Sequence, residues 1–206
     1  MLNYLLGALL GGVVGLVSVF FAYGGLRQKK LFARLLKRKG RWHRSFALPC
    51  VLGAAIGIYA VWLYGSPGRN YWAMLLLSCY LLAVSVTDLR HRIIPDDCSA
   101  VFAVVFILFR VAGWTLGDVL TAAIGALLGA VILGLPHLLR PEAVGLGDVK
   151  LLAVCGLMVG FPGVVYLLIR AMLAMFLVSV VQLLRKKVNA KSELPMAPFV
   201  LFAALI

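Results

Sequence analysis

Two aspartates in this 206-residue chain stand in stretches whose residue types could do chemistry, and the whole chain has only seven acidic residues. In Gly145-Leu146-Gly147-Asp148-Val149-Lys150 an aspartate follows a glycine pair and precedes a lysine and an apolar run. In Thr87-Asp88-Leu89-Arg90-His91-Arg92-Ile93-Ile94-Pro95-Asp96 another aspartate ends an apolar run. Two carboxylates that meet can hydrolyse a peptide bond. One accepts a proton from water while the other donates one to the peptide carbonyl, and the pair shares a proton because like charges in contact do not both ionise easily. Asp88 closes a predicted helix, where the negative end of the dipole disfavours a carboxylate. Asp148 opens one, where the positive end favours it. That argument makes Asp148 the ionised member and Asp88 the protonated one. Gly145 and Gly147 supply backbone freedom and close approach, so a substrate strand can lie beside Asp148. A loop whose glycines merely end one helix and start the next explains the same four residues equally well.

The chain around these aspartates looks built for lipid. It is 64% apolar and 13% charged, with a mean hydropathy of +1.06, against about half and about a quarter in a soluble domain. Its apolar segments are mostly long enough for helices to cross a bilayer and lack period-2 alternation, which predicts an all-α, polytopic membrane helix bundle and excludes a barrel. A carboxylate in such surroundings is costly and usually functional. About eight membrane segments follow in order: 1–23, 47–64, 71–87, 98–113, 119–135, 151–160, 164–184 and a last run from Pro195 to Ile206. Residues 1–23 have no basic n-region and no small-residue cleavage site, so they read as a first transmembrane helix rather than a cleaved signal. Residues 24–46 form a basic connection, and 47–206 a membrane-embedded domain. Gly7, Gly11 and Gly15, and again Gly125 and Gly129, have the GxxxG spacing that lets helices approach closely. Pro95 stops the third segment, and Asp96 or Asp97 can cap the fourth. Residues 137–150 read as a polar loop carrying the glycine-aspartate stretch.

The net charge is +13. In a polytopic protein Lys and Arg set topology and meet anionic lipids, so no nucleic-acid partner is expected. Nine basic residues, Arg27 to Arg44, fall in the first connection, which has no acid. There Leu31, Phe32, Leu35 and Leu36 share one helical face, which predicts a short amphipathic helix lying on the membrane surface against anionic lipids. With the N-terminus outside and the segments alternating, these nine residues join Arg90, Arg92, Arg140, Lys150, Arg185, Lys186, Lys187 and Lys191 on the cytoplasmic side, seventeen of twenty Lys and Arg. The positive-inside rule favours this orientation. It brings Asp88 and Asp148, sixty positions apart, to one cytoplasmic face. Arg69, Arg110 and Arg170 fall elsewhere, and Arg170, inside a span, faces the bundle or snorkels.

Other chemistries lack their residues. Cys50, Cys79, Cys98 and Cys155 are scattered singly, so no metal site or redox motif is predicted. No serine sits in a GxSG-like motif, and His43, His91 and His137 are solitary and read as interfacial.

The two aspartate stretches, with Val149-Lys150-Leu151-Leu152 after the second, resemble the bacterial type IV prepilin leader peptidases, polytopic aspartic proteases of the wider GxGD group that includes presenilin. Pro195-Met196-Ala197-Pro198-Phe199 is similar to the family's late proline-phenylalanine motif, so the resemblance covers about residue 71 to the C-terminus. It implies that Asp88 and Asp148 are catalytic and Asp96 structural or substrate-adjacent. Asp97 has no assigned role, and Lys150 matches the lysine after the GxGD aspartate. Gly145, Gly147, Pro95, Pro195, Pro198 and Phe199 are implied to position loop or substrate. The implied partners are prepilins and pseudopilins of type IV pili, type II secretion or competence systems, cut after a glycine at the cytoplasmic face of the bacterial inner membrane. Many members carry, after the first span, a large cytoplasmic domain with paired CxxC motifs that bind zinc, and also methylate the new N-terminus. Here that region is 24–46 and has no cysteine, so no zinc is carried over. No cofactor is expected, and S-adenosylmethionine enters only if methyl transfer is retained.

Two other readings use the same residues. A proton-coupled transporter or scaffold would place its acidic groups near the bilayer midplane, whereas both aspartates fall at a boundary. A presenilin-like intramembrane protease would cut mid-span rather than at the leader junction.

Overall fold

The computed structural model describes residues 2–24, 42–65, 68–112, 115–140, 142, 144–185 and 194–206. These form eight helices and no strand: α1 (Leu2–Gly24), α2 (Trp42–Tyr64), α3 (Arg69–His91), α4 (Asp96–Val111), α5 (Leu116–Leu139), α6 (Leu146–Val159), α7 (Gly163–Leu184) and α8 (Ala197–Leu205). Five of them, α1, α2, α3, α5 and α7, are long and apolar enough to cross a membrane, and the chain is a multi-pass, all-helical bundle. The amphipathic face Leu31, Phe32, Leu35 and Leu36 lies outside the described residues, as do Lys186, Lys187 and Lys191.

α3 is the central helix. Tyr71, Tyr80, Leu81, Leu82 and Val84 are almost wholly buried on it: Tyr80, Leu81 and Val84 in one cluster with Phe102 and Phe106 of α4, Leu151 and Leu152 of α6 and Val200 of α8, Tyr71 and Leu82 in another with Ile56, Ala60 and Val61 of α2. The Tyr80 ring meets Phe102 at 5.3 Å and Phe106 at 5.9 Å, separations usual for packed aromatic pairs. α1 packs on α2 and α3. A methyl on Gly11 would overlap the carbonyl oxygen of Gly53, and one on Gly57 that of Gly7, so backbone touches backbone where the GxxxG spacing predicts it. α5 and α6 meet in the same way through Gly125 and Gly156.

The helix ends differ from those expected at three places, all near the aspartates. α5 continues through Pro136 to Leu139, because a proline in the last turn removes one donor while its carbonyl still accepts from Arg140 N at 2.8 Å. His137 is therefore helical rather than in a loop. α6 starts at Leu146, two residues before the aspartate expected to open it, and Asp148 stands in its first turn. The residue capping α4 is Pro95; Asp96 and Asp97 fall in its first turn and make no side-chain capping bond.

At the end of the bundle where α3 and α5 begin, the guanidinium of Arg69 lies 3.7 Å, and that of Arg110 3.9 Å, from the carboxylate of Asp118. Arg110 Nε also donates to the Leu157 carbonyl at 3.4 Å. Two of the three arginines outside the basic segments are thus tied to one acid, linking α3, α4, α5 and α6.

Candidate active site

Asp88 lies in the last full turn of α3 and is 6% exposed. Thr87 cannot compete for it, since its hydroxyl donates to the Val84 carbonyl at 2.8 Å. The chain turns away at Arg92, which adopts a left-handed conformation (φ 52°) while its N–H donates to the Asp88 carbonyl at 2.9 Å. The next residues, Ile93 to Pro95, lead into α4.

Asp148 is the third residue of α6, half-buried. Gly145 caps that helix with extended backbone (φ −68°), and its carbonyl accepts from Asp148 N at 3.0 Å. Neither Gly145 nor Gly147 adopts positive φ among the described residues, so the backbone freedom expected of them is not what the fold uses. Gly147 is required by approach instead. A methyl there would stand 3.2 Å from two Ile94 side-chain atoms, so the glycine lets the buried Ile94 seat the segment after Asp88 against the start of α6. At Gly145 a methyl would lie 3.4 Å from the Asp148 carboxylate, room that the glycine leaves open. Upstream, His137 Nδ1 is bonded to the Val144 carbonyl at 2.7 Å and ties the glycine stretch to α5.

Both aspartates line one cavity of about 630 Å³, together with Asp96, Gly145, Gly147, Lys150 and Pro195. Lys150 Nζ reaches Asp96 Oδ1 at 2.7 Å. The pair is largely exposed, so it contributes about 0–1 kcal/mol; its effect is to fasten the start of α4 to α6 beside the cavity. Pro95 acts one step removed, as the cap of α4. Pro198 and Phe199 do not line the cavity. They stand in the first turn of α8, where the missing N–H of Pro198 is no loss.

The donor that sequence reasoning missed is Ala197 N–H, at the start of α8, which donates to Asp88 Oδ2 at 3.0 Å. The helices that carry the aspartates are not the only dipoles at the site. α8 brings its own N-terminus, the positive end, to Asp88. The two prolines around Ala197 were a signal for a helix start there, but not for its target. Meanwhile Asp148, outside the five long apolar helices, is pushed up to about 6 by burial and then by the neighbouring Asp88 carboxyl. The apolar part of the wall, also missed, comes from Leu133 of α5, Met172 and Met175 of α7, and Met196. Among the described residues no three His, Cys, Asp or Glu side chains gather as metal ligands. The arrangement is two carboxyl groups, one of them hydrogen-bonded to a helix N-terminus, beside a space large enough for a peptide segment.

The description of a known family, the Type IV leader peptidase family, matches residues 75–180. Among curated relatives, the prepilin leader peptidase/N-methyltransferase of Pectobacterium carotovorum subsp. carotovorum is 31% identical over 131 residues, 61% of this chain and 47% of the relative. The protein of the same name from Xanthomonas campestris pv. campestris is 26% identical over 167 residues, 79% and 58% of the two chains. That from Escherichia coli strain K12 is 27% identical over 150 residues, 70% and 65%. The chain spans about half the length of the first two. No solved structure matches it. The matched region takes in half of the chain, including Asp88, the glycine-aspartate-lysine stretch and most of the cavity wall, and the chain belongs to the type IV leader peptidase family.

Proposed function

We propose that this protein is a prepilin or pseudopilin leader peptidase that hydrolyses the bond after a glycine, where the leader meets the apolar segment. The observation that carries the reading is the shared cavity: Asp88 and Asp148, from two different helices, line it together, and Asp88 accepts the Ala197 N–H.

In the mechanism, ionised Asp88 takes a proton from a water molecule as the water oxygen attacks the scissile carbonyl carbon. Asp148, which keeps its proton to higher pH than an ordinary carboxyl, donates it to the carbonyl oxygen. The tetrahedral intermediate then collapses: the C–N bond breaks, the amine leaves with the proton held by Asp88, and the intermediate's hydroxyl proton returns to Asp148. This assignment reverses the one from helix ends alone, and the α8 N-terminus at Asp88 supports the reversal. Infrared difference spectroscopy with isotope-labelled aspartate tests it: the protonated carboxyl band belongs to Asp148 and disappears in Asp148→Asn. A band that survives there and disappears in Asp88→Asn contradicts it.

The distribution of basic residues supports a cavity on the cytoplasmic face of the bacterial inner membrane, with the N-terminus outside. There a leader emerging from the bilayer can reach both carboxyl groups, and the basic segment meets anionic lipid. Mass spectrometry of a prepilin co-expressed with the chain tests substrate and cleavage position together. A new N-terminus following the leader glycine is expected, and the same spectrum reports any added methyl group. Cleavage within the apolar span contradicts the reading.

A further inference from the structure

At the end of the bundle away from the two aspartates, a second cavity of about 390 Å³ opens between α3, α6, α7 and α8. Its inner wall is apolar, with Met158 and Ala203, while Tyr64, Asn70, Tyr166 and Arg170 bring polar groups to it. Arg170 is the eighth residue of α7, roughly 10 Å along the helix from its start. No carboxylate pairs with it among the described residues. The acid at this end, Asp118, is already shared by Arg69 and Arg110. The cavity therefore offers an exposed guanidinium that no carboxylate among the described residues pairs with, and that group suits a phosphate bidentately.

What continues from Arg170 is apolar. Leu173 and Leu177 follow at i+3 and i+7 on the same face of α7 and are 57% and 56% exposed. They lie farther along the helix toward the aspartate end, and so toward the middle of the bilayer. We propose that this cavity binds the phosphate headgroup of an anionic phospholipid of the phosphatidylglycerol type. Arg170 holds the phosphate, Asn70 and the two tyrosine hydroxyls serve phosphate and glycerol oxygens, and an acyl chain runs along Leu173 and Leu177. The exposed apolar track distinguishes a lipid from free phosphate, and the unmatched charge distinguishes an anionic lipid from a zwitterionic one.

Native mass spectrometry of the purified full chain tests this, with phosphatidylglycerol, phosphatidylethanolamine or inorganic phosphate added in turn. The wild-type chain is expected to retain phosphatidylglycerol in preference to phosphatidylethanolamine and not to retain inorganic phosphate. Arg170→Gln lowers phosphatidylglycerol occupancy about tenfold, Arg170→Lys restores part of it, and Arg140→Gln, at the other end, leaves it unchanged. Lipid-free melting temperatures of Arg170→Gln and the parent within a degree or so of each other show that lost binding is not lost folding. A fall confined to a destabilised variant is resolved by Arg170→Lys, which must then fold and still select the anionic lipid. Equal retention of both lipids by the parent, unchanged selectivity in Arg170→Gln, or displacement of the lipid by inorganic phosphate overturns the proposal.

Discussion

Asp148 titrates near 6 rather than at the 3.8 of an ordinary aspartate because burial and the Asp88 carboxyl both oppose its charge. Such a shift carries a sign. The folded state holds this proton more tightly than the unfolded chain, so the stability it contributes is present below about 3.8 and is lost as pH rises to about 6. Catalysis that needs a protonated Asp148 loses its acid over the same rise. The kcat/KM for prepilin cleavage is expected to fall on an alkaline limb with a midpoint near 6; a flat profile from pH 5 to 8, roughly the window that brackets that value, contradicts the assigned role. Gly147 makes a separate prediction. Gly147→Val pushes on Ile94, already 3.2 Å from a methyl-sized group, and shifts the loop between Asp88 and Asp96. Cleavage should drop by about 10²-fold while Gly145→Ala, with its nearest contact at 3.4 Å, loses less; initial rates for the two variants compare them. The two aspartates were legible in the sequence because a carboxylate is rare and costly in an apolar chain. Ala197 was not, because it acts through its N–H and its side chain carries no signal.

At the scale of helices, composition and spacing carried most of the architecture. The apolar segments became helices, and the glycine spacings became backbone contacts between α1 and α2 and between α5 and α6. Helix ends were less legible. The fifth apolar segment reads as ending at residue 135, but its helix runs on through Pro136 to Leu139, and the helix that Asp148 is expected to open begins two residues earlier, at Leu146. At Pro136 the reason is local: a proline in the last turn costs one donor, and its carbonyl still accepts from Arg140 N. The glycine contacts predict a contrast along one helix. Gly11→Leu collides with Gly53 and Gly57, whereas at Gly12 a methyl meets nothing within 4 Å. Gly11→Leu should therefore cost about 1–3 kcal/mol or more and Gly12→Leu almost nothing, read as thermal unfolding midpoints in detergent. Equal midpoints would mean that α1 does not depend on this packing.

The whole molecule has two chemically distinct ends. One gathers Asp88, Asp148, Asp96 and Lys150 around the larger cavity; the other ties Arg69 and Arg110 to Asp118. Charge counting separated these ends in the sequence but gave no reason for the exceptions to it, and Asp118 supplies one for Arg69 and Arg110. Asp118→Asn leaves two arginines facing each other, and is expected to lower stability by about 1 kcal/mol without altering the cleavage position; thermal unfolding alongside product mapping checks both. The central claim, that two aspartates brought together from α3 and α6 perform one hydrolysis, is tested most directly by the cleavage rate of a purified prepilin with the parent, Asp88→Asn, Asp148→Asn and the double variant. Each single variant should lose about 10²–10⁴-fold, and the double variant little more than either, because the carboxyl groups act as a unit. Near-parental cleavage by either single variant would contradict it.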